Sequence, residues 1–161
     1  FADEITVDGH IRTLHGIGLL KWKYIVDVYL VALYKPADIP IDRISTSIPK
    51  RLEYYFFVDM EANDFQSTGF ELMARNIGKE KAQGMTKELD AFNELYQDVK
   101  EGQRYTLTFL PGKGLEMALD GKSLGLVEGD EFGSSYLSIW LGPDPVSKNL
   151  QKGMFDPGTK K

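Results

Sequence analysis

Residues 104–127 read RYTLTFLPGKGLEMALDGKSLGLV and alternate apolar with polar side chains, as β-strands do. Pro111-Gly112-Lys113-Gly114 predicts one turn within this stretch. Asp120-Gly121 predicts a second turn, because both central positions of a type I′ turn need a positive φ. The stretch therefore predicts a three-stranded antiparallel meander.

Three upstream segments also have the composition of strands. Residues 5–15 alternate loosely, and residues 52–58 are mostly apolar. Residues 19–34 are rich in β-branched and aromatic side chains, and they are apolar at both odd and even positions. We therefore expect residues 19–34 to form one long strand that is covered on both faces.

Helical spacing replaces the strand pattern between these segments and the meander. One helix is predicted over residues 63–77, where Asn63 and Gln66 have the spacing of a capping box. A second helix is predicted over residues 85–99, and the charges on its other face indicate a solvated surface. Apolar residues recur in this second helix at spacings of three and four: Met85, Leu89, Phe92, Tyr96 and Val99.

The C-terminal part predicts a helix over residues 130–141, a short helical piece over 147–154 and a frayed tail over 158–161. No repeat or linker divides the chain, so we expect a single domain over residues 1–161. Strands, two inserted helices, a meander and a terminal helix predict the α+β class. In that class a large antiparallel sheet carries helices on one face.

Composition excludes several classes of function. The 161 residues are 42% hydrophobic, which is enough for one core without disulfides or metal. The chain has no cysteine, which excludes thiolate zinc sites, iron–sulfur clusters and cysteine nucleophiles. Its net charge of −5 is opposite in sign to that of nucleic-acid-binding surfaces, so no nucleic-acid partner is expected. No apolar run approaches the ~20 residues of a transmembrane helix.

Two glycine motifs resemble nucleotide-binding loops but are incomplete. Asp120-Gly121-Lys122-Ser123 has Glu116 where a phosphate-binding loop needs its first glycine. Gly16-Ile17-Gly18 has Lys21 where a dinucleotide fingerprint needs its third. Close backbone approach, or a β-bulge, is the better interpretation of Gly16 and Gly18.

Histidines and serines give no catalytic or metal-binding pattern. His10 and His15 have an odd spacing that places them on opposite faces of one strand, so we predict no metal site. Gly133-Ser134-Ser135 has Leu137 where a nucleophile elbow needs its second glycine. We interpret the two serines as helix caps.

Asp27 and a group of tyrosines leave two interpretations open. A carboxylate in a covered strand either lies at a wet rim or serves as a polar group in a ligand cavity. The aromatic side chains are typical of a core, yet their phenol hydroxyls need hydrogen-bond partners that a cavity with water or ligand supplies. These side chains are Tyr24, Tyr29, Tyr34, Tyr54, Tyr55, Phe56 and Phe57.

The chain resembles the bacterial chalcone isomerase-like family over about residues 3–154. The residues that carry this resemblance are Gly16-Ile17-Gly18-Leu19, Val28-Tyr29-Leu30-Val31-Ala32-Leu33-Tyr34, Pro49-Lys50-Arg51-Leu52, Phe132, Ile139-Trp140-Leu141-Gly142 and Pro145-Val146. The resemblance implies an open-faced β-sandwich, in which a large antiparallel sheet and helices enclose a ligand cleft. The family includes plant isomerases, fatty-acid-binding relatives and bacterial proteins of unassigned role, so the fold alone does not decide the function.

The resemblance also implies positions for a site, and most of them depart from the family pattern. The family's oxyanion-orienting arginine falls on Leu20, its catalytic threonine on Tyr24 and its pocket tyrosine near Gly69. Its pocket asparagine matches Asn76, and a pocket serine or threonine falls on Ile139, next to Trp140. If the count shifts by one residue, Lys21 or Lys23 supplies the missing cation. Without a guanidinium, isomerase chemistry is not the leading expectation.

We therefore expect a non-catalytic, exported protein that binds an apolar or amphipathic ligand, such as a fatty acid or a lipid-like molecule. Two alternatives remain. One is an isomerase or lyase using Tyr24, Asn76 and a nearby lysine, and the other is an interaction module that packs the stripe of the second helix on another protein. No catalytic residue, metal or cofactor is predicted. The candidate ligand-binding residues are Leu20, Tyr24, Asp27, Gly69, Met73, Asn76, Ile139 and Trp140.

The first residues suggest a cellular location. Phe1-Ala2 fit the end of a signal cleavage site, and Asp3-Glu4 fit an acidic mature start. The alternative is a chain trimmed at an arbitrary position. The first interpretation predicts a periplasmic or secreted protein, whereas the sequence makes no prediction of oligomeric state.

Overall fold

The computed structural model describes residues 1–157, in which seven strands form one antiparallel sheet in chain order. The strands are β1 (Glu4–Val7), β2 (His10–Trp22), β3 (Val26–Lys35), β4 (Lys50–Phe56), β5 (Arg104–Leu110), β6 (Gly114–Leu119) and β7 (Lys122–Glu128). The helices are α1 (Ala62–Gln66), α2 (Gly69–Ile77), α3 (Lys79–Gln83), α4 (Thr86–Asn93), α5 (Asp130–Leu141) and α6 (Lys148–Phe155). The helices lie on one face, so the predicted α+β architecture is confirmed. The predicted tail over 158–161 lies outside the described residues.

The meander and the terminal helix match their predictions. Strands β5, β6 and β7 pair in sequence, and Asp120 and Gly121 have φ values of 51° and 84°, as a type I′ turn requires. Helix α5 has the predicted bounds. Ser134 and Ser135 lie inside α5 rather than at its start, so their interpretation as caps is wrong.

The predicted long strand over residues 19–34 is wrong. The chain reverses at Lys23 and Tyr24, and β2 pairs with β3 as a hairpin. This turn contains no glycine, asparagine or proline, and therefore no local signal marked it. Coverage on both faces holds only for the second half of β3, where residues 31–34 are fully buried. A similar turn at Asp8-Gly9 divides the loosely alternating segment into β1 and β2.

The helical region differs from its prediction in its boundaries. The helix expected over residues 63–77 is divided into α1 and α2, and its capping box is formed by Glu61 and Asp64 instead of Asn63 and Gln66. The second predicted helix is shortened to α4, and Tyr96 and Val99 follow it in extended loops. All five residues of its apolar stripe are nevertheless buried in the core. The stripe packs within the chain, which removes the observation that would have favoured an interaction module.

Gly16 and Gly18 let α6 approach β2 until their backbones touch. A Cβ on Gly16 would lie 2.2 Å from the carbonyl oxygen of Met154, and one on Gly18 would lie 2.1 Å from that of Leu150. A bulge interrupts the β2–β3 register between Leu14 and Gly16. The close-approach interpretation of this glycine pair is therefore confirmed.

The face of the sheet that packs on the helices, the inner face, has two parts that differ in what covers them, although Gly18 and Tyr54 lie at the same level along the strands. The packed end is the part around Gly16, Gly18, Lys50 and Phe109. We call the cleft end the region around Leu20, Tyr29, Tyr54 and Tyr105. The same strands β2 to β5 supply both ends, so the two differ in side chains and in the helices that cover them.

Candidate functional site

Two connected hollows lie between the cleft end of the sheet and helices α1, α2 and α5. The inner hollow measures about 30 Å³ and the outer one about 130 Å³, and both are lined by Tyr29, Phe65, Tyr96 and Trp140. Tyr54, Phe56, Tyr105 and Leu107 complete the inner hollow. The outer one is completed by Leu20, Met60, Asp64, Thr68, Gly69, Leu72, Tyr136, Ile139 and Val146. We refer to the two hollows together as the cleft.

Gly69 at the cleft leaves space around it, whereas the glycines of the packed end do not. Gly69 begins α2, and a Cβ there would lie 3.7 Å from the side chains of Leu89 and Tyr136, which is ordinary contact. At the packed end, by contrast, a Cβ on Gly133 would lie 2.5 Å from the ring of Phe109. Space for a further group is therefore present at the cleft end and absent at the packed end.

Aromatic rings form the walls of the inner hollow. The Tyr54 ring lies edge-on to those of Tyr29 and Trp140, with 5.3 Å between centroids in each case. The Phe65 ring stacks on the Tyr96 ring at 4.8 Å. Such edge and stacked contacts stabilise aromatic clusters and leave flat apolar surfaces toward the hollow.

The phenol hydroxyls of the cleft differ in their hydrogen bonding. Trp140 Nε1 donates to the Tyr29 hydroxyl at 2.9 Å, and the hydroxyls of Tyr96 and Tyr136 bond each other. The buried Tyr54 hydroxyl has no hydrogen-bond partner in the described part of the chain. An unsatisfied buried hydroxyl costs about 1–3 kcal/mol, which a bound water or ligand atom would recover.

Burial keeps these phenols protonated. Desolvation raises the pKa of Tyr29 to about 12, although the Trp140 hydrogen bond opposes the shift. Desolvation also raises the pKa of Tyr54 and of Tyr96 well above the ordinary value, and it raises that of Tyr136. At neutral pH the cleft therefore offers neutral hydroxyl groups and no phenolate to act as a base.

Charged groups stay at the rim of the cleft. Asp64 is the one ionisable acid among its lining residues, and it is exposed to solvent. No lysine, arginine or histidine lines either hollow. In the described residues, no three histidine, aspartate or glutamate side chains converge as metal ligands do. The arrangement suits an apolar body with one hydrogen-bonding atom.

The structure brings four of the predicted site residues to the cleft: Leu20, Gly69, Ile139 and Trp140. Their contact with a ligand stays a prediction. Met73 is fully buried on α2 and lines neither hollow. Asn76 also lies outside the cleft, because its amide bonds the backbone of Leu72 and of Asp144.

The sequence predicted Tyr24 and Asp27 in the cleft, but the β2–β3 hairpin places both outside it. Tyr24 lies in the turn and is 86% exposed. Asp27 is a half-exposed residue of β3 and forms a salt bridge of 3.0 Å with Lys21, its cross-strand neighbour. Of the two interpretations of Asp27, the wet rim is the one the structure supports. Both misplacements arise from counting along a strand that in fact reverses.

The residues named for isomerase chemistry do not converge. Tyr24 points into solvent, Asn76 is held by backbone groups, and Lys21 is paired with Asp27. Lys21 and Lys23 border an open groove outside the cleft, so neither replaces the missing cation inside it. Leu20, at the position of the family's arginine, does line the cleft.

The candidate site residues left out seven aromatic residues that line the cleft, although the first three belong to the aromatic group for which a cavity was an open interpretation: Tyr29, Tyr54, Phe56, Phe65, Tyr96, Tyr105 and Tyr136. The density of tyrosines on two strands was a signal, since phenols in an apolar layer need partners. Phe65 and Tyr96 gave no separate signal, because an aromatic residue at helical spacing is typical of a core.

Comparisons with known proteins agree with this geometry. A family model described as chalcone isomerase-like matches residues 1–156. The crystal structure of a fatty-acid binding protein from Arabidopsis thaliana is similar to this chain with a TM-score of 0.74 and 20% identity, covering 98% of this chain and 91% of that one. At that identity the likeness shows the fold alone. No curated protein matches the sequence. No helix in the described residues is long and apolar enough to cross a membrane.

Proposed function

The chain belongs to the chalcone isomerase-like family, and from this premise we propose that it is a non-catalytic protein that binds a small apolar or amphipathic molecule of the fatty-acid or lipid-like class in the cleft. The observation that carries the proposal is the unpartnered Tyr54 hydroxyl inside an aromatic hollow. The fatty-acid binding protein of the same fold supports the ligand class.

The chemistry of the lining sets the orientation of such a ligand. No cation lines either hollow, so a carboxylate buried there would lack a partner and would be costly. We call the side of the cleft at Leu20 and Val146, which also line the open groove outside it, the mouth. An amphipathic ligand therefore keeps its ionised end at the mouth and inserts its apolar part toward Tyr54. A ligand whose inserted part carries a neutral acceptor atom, such as a carbonyl or ether oxygen, also accepts the hydrogen bond of that hydroxyl, which a plain alkyl chain does not.

The size of the cleft limits what it holds without rearrangement. An apolar cavity of about 150 Å³ is large enough for a benzene-sized group. The outer hollow of about 130 Å³ is of this order. We expect a ring or a short segment of chain to fill the cleft and the remainder of a longer ligand to leave through the mouth.

The test is to identify and titrate the ligand. Protein purified from cells is examined by native mass spectrometry and organic extraction, and the stripped protein is titrated with fatty acids and neutral lipids. A Leu20→Trp variant blocks the mouth, and a Leu126→Trp variant places the same side chain on the exposed surface as a control.

We expect the first variant to lose binding and the second to bind like the unmodified protein. Equal binding by both variants would show that the ligand lies elsewhere. A protein that carries no ligand and binds no member of the panel contradicts the proposal.

We propose separately that the protein is periplasmic or secreted. This proposal requires the gene to encode a charged segment and an apolar run of about 7–15 residues before Phe1. A start codon within a few residues of Phe1 would contradict this location.

A further inference from the structure

The tip of the β2–β3 hairpin exposes a cluster of large apolar side chains. Trp22 is 59% exposed, Tyr24 86%, Ile25 79% and Val26 39%. We call these four residues the apolar tip. The other large apolar side chains exposed in the described residues are Ile11, near the opposite end of β2, and Leu126, on β7. Apolar surface is therefore concentrated at one projecting point of the molecule, as at interaction sites.

The backbone of the turn favours a role for its side chains. Lys23 and Tyr24 have φ values of 52° and 62°, a region that side-chain-bearing residues seldom adopt. Asn-Gly would form the same two-residue turn without this cost. A turn that keeps a lysine and a tyrosine at these positions presents a cation and an aromatic ring to solvent at the expense of backbone strain.

A basic groove lies beside the apolar tip. Its lining includes four cations, Lys21, Lys23, Arg75 and Lys148, and one carboxylate, Asp144. Lys21 is paired with Asp27 and Arg75 with Asp144, so the net positive charge of the groove comes from Lys23 and Lys148. The Lys23 ammonium lies 4.7 Å from the centroid of the Trp22 ring. The whole chain has a net charge of −5, so this groove is a local region of opposite sign.

The groove adjoins the outer hollow of the cleft. Leu20 and Val146 line both the outer hollow of the cleft and the basic groove. A surface that covers the groove would therefore face the mouth of the cleft directly. This continuity links the apolar tip to the route by which an apolar molecule enters.

We propose that the apolar tip docks this protein on a lipid bilayer that contains anionic lipids. Trp22 and Tyr24 lie at the level of the headgroups, Ile25 reaches the acyl boundary, and Lys23 and Lys148 contact lipid phosphates. The mouth of the cleft then faces the bilayer. Docking does not require an occupied cleft, so this inference goes beyond the ligand-binding proposal.

The mixture of side chains favours a membrane over a protein partner. Lysine is depleted from the cores of protein interfaces, whereas here Lys21 and Lys23 alternate with the apolar residues of the tip. Lysines beside aromatic residues are the pattern of membrane interfaces.

The test measures binding of the ligand-free protein to vesicles made from equal parts of phosphatidylcholine and phosphatidylglycerol. Co-sedimentation gives the affinity, and the fluorescence of Trp22 reports its transfer from water. Trp140 is buried and gives a constant background. The tip variant is Trp22→Ser with Ile25→Ser. The matched control, Ile11→Ser with Leu126→Ser, removes exposed apolar surface away from the hairpin tip.

We expect the tip variant to bind on the order of tenfold more weakly or worse, because two buried apolar contacts with the bilayer are lost. The control should bind like the unmodified protein. Lys23→Asn, which suits the positive φ, should weaken binding about fivefold, and added salt should weaken it further.

Three results would overturn the inference. In the first, the unmodified protein does not bind the anionic vesicles. In the second, the tip variant and the control variant lose affinity equally. In the third, sedimentation shows that the tip variant dissociates an oligomer while vesicle binding is unchanged, which identifies the tip as a protein interface. Because no ligand is present, none of these results changes the outcome of the cleft titration.

Discussion

The packed end and the cleft end of the same sheet use glycine for opposite purposes. At the packed end Gly18 has no side chain because the backbone of α6 occupies that space, 2.1 Å from where a Cβ would lie. At the cleft end Gly69 leaves a space that no other group fills, and its nearest neighbours would be 3.7 Å from a Cβ. One glycine permits contact, whereas the other permits a cavity.

The two ends also differ in how their buried polar groups are satisfied. Lys50, at the packed end, donates to the carbonyl oxygens of Ile44 and Thr46. Tyr54, at the cleft end, has a buried hydroxyl without a partner. The packed end satisfies its buried lysine internally, whereas the cleft end leaves a hydroxyl available, as the proposed ligand binding requires.

The largest expected effect is at the packed end. Gly18→Ala forces a methyl group into the carbonyl oxygen of Leu150, and backbone on both sides prevents relaxation. We expect the free energy of unfolding to fall by about 3 kcal/mol. Urea denaturation of the two proteins measures the change. An unaltered midpoint would mean that α6 moves away from β2 without cost, and the packed end would then not be rigid.

The next effect is a dependence of stability on pH. Burial lowers the pKa of Lys50 from 10.5 to about 8. Between these values the folded protein has released a proton that the unfolded chain still holds, so stability rises with pH through this range. Lys50→Met removes the titrating group. We expect the unmodified protein to gain about 2 kcal/mol relative to the variant between about pH 8 and pH 10.

Above about pH 10 the buried phenols have the opposite effect, because they make stability fall as the pH rises. The folded protein keeps the proton of Tyr29 to about pH 12, whereas the unfolded chain loses it near pH 10. Their contribution to stability is present below pH 10 and is lost as the pH rises above it. Denaturation measured in both proteins at the same pH values cancels this contribution. Parallel curves for the two proteins would show that Lys50 does not titrate there.

At the cleft end we expect the removal of one polar atom to increase the stability of the ligand-free protein. Tyr54→Phe deletes the hydroxyl that has no partner, so the ligand-free protein should gain about 1 kcal/mol of stability. The same variant should bind a ligand with an acceptor atom more weakly. Tyr29→Phe is the matched control, because it leaves Trp140 Nε1 without its acceptor and should lower stability by about 1 kcal/mol. Equal losses in both variants would indicate that Tyr54 is satisfied within the protein.

The smallest effect is expected at the second glycine. Gly69→Ala adds a methyl group in ordinary contact with its neighbours and lowers the entropy of the unfolded chain. Thermal unfolding should show a gain of about 0.5 kcal/mol, opposite in sign to that of Gly18→Ala. The added methyl group also reduces the outer hollow, so affinity for a bulky ligand should fall slightly. A loss of stability comparable to that of Gly18→Ala would remove the contrast between the two ends.

Much of the fold could be predicted because its signals are local. The alternation of residues 104–127 and the Asp120-Gly121 turn identify a meander, and the spacing of residues 130–141 identifies α5 with its bounds. Strand and helix periods differ, so a few neighbouring residues distinguish them. The close approach at Gly16 and Gly18 could also be anticipated, since a strand seldom carries two glycines without such a reason.

The β2–β3 hairpin could not be predicted from local signals. Lys23 and Tyr24 have no preference for positive φ, and residues on both sides favour an extended chain. Pairing of Leu20 with Tyr29, and of the positions before and after them, holds the turn in that conformation. The position of Tyr24 and Asp27 outside the cleft followed from this pairing.

The sequence alone thus determined the class of fold, and its resemblance to the family implied the placement of Leu20, Gly69, Ile139 and Trp140 in one site and the lack of a cation at the family's arginine position. Tertiary structure decided that a cleft exists there and that Tyr54 is its unpartnered group. The physical reason is the range of the interactions. Periodicity and turn preference act between near neighbours, whereas a cavity and an unsatisfied hydroxyl depend on how closely distant segments pack.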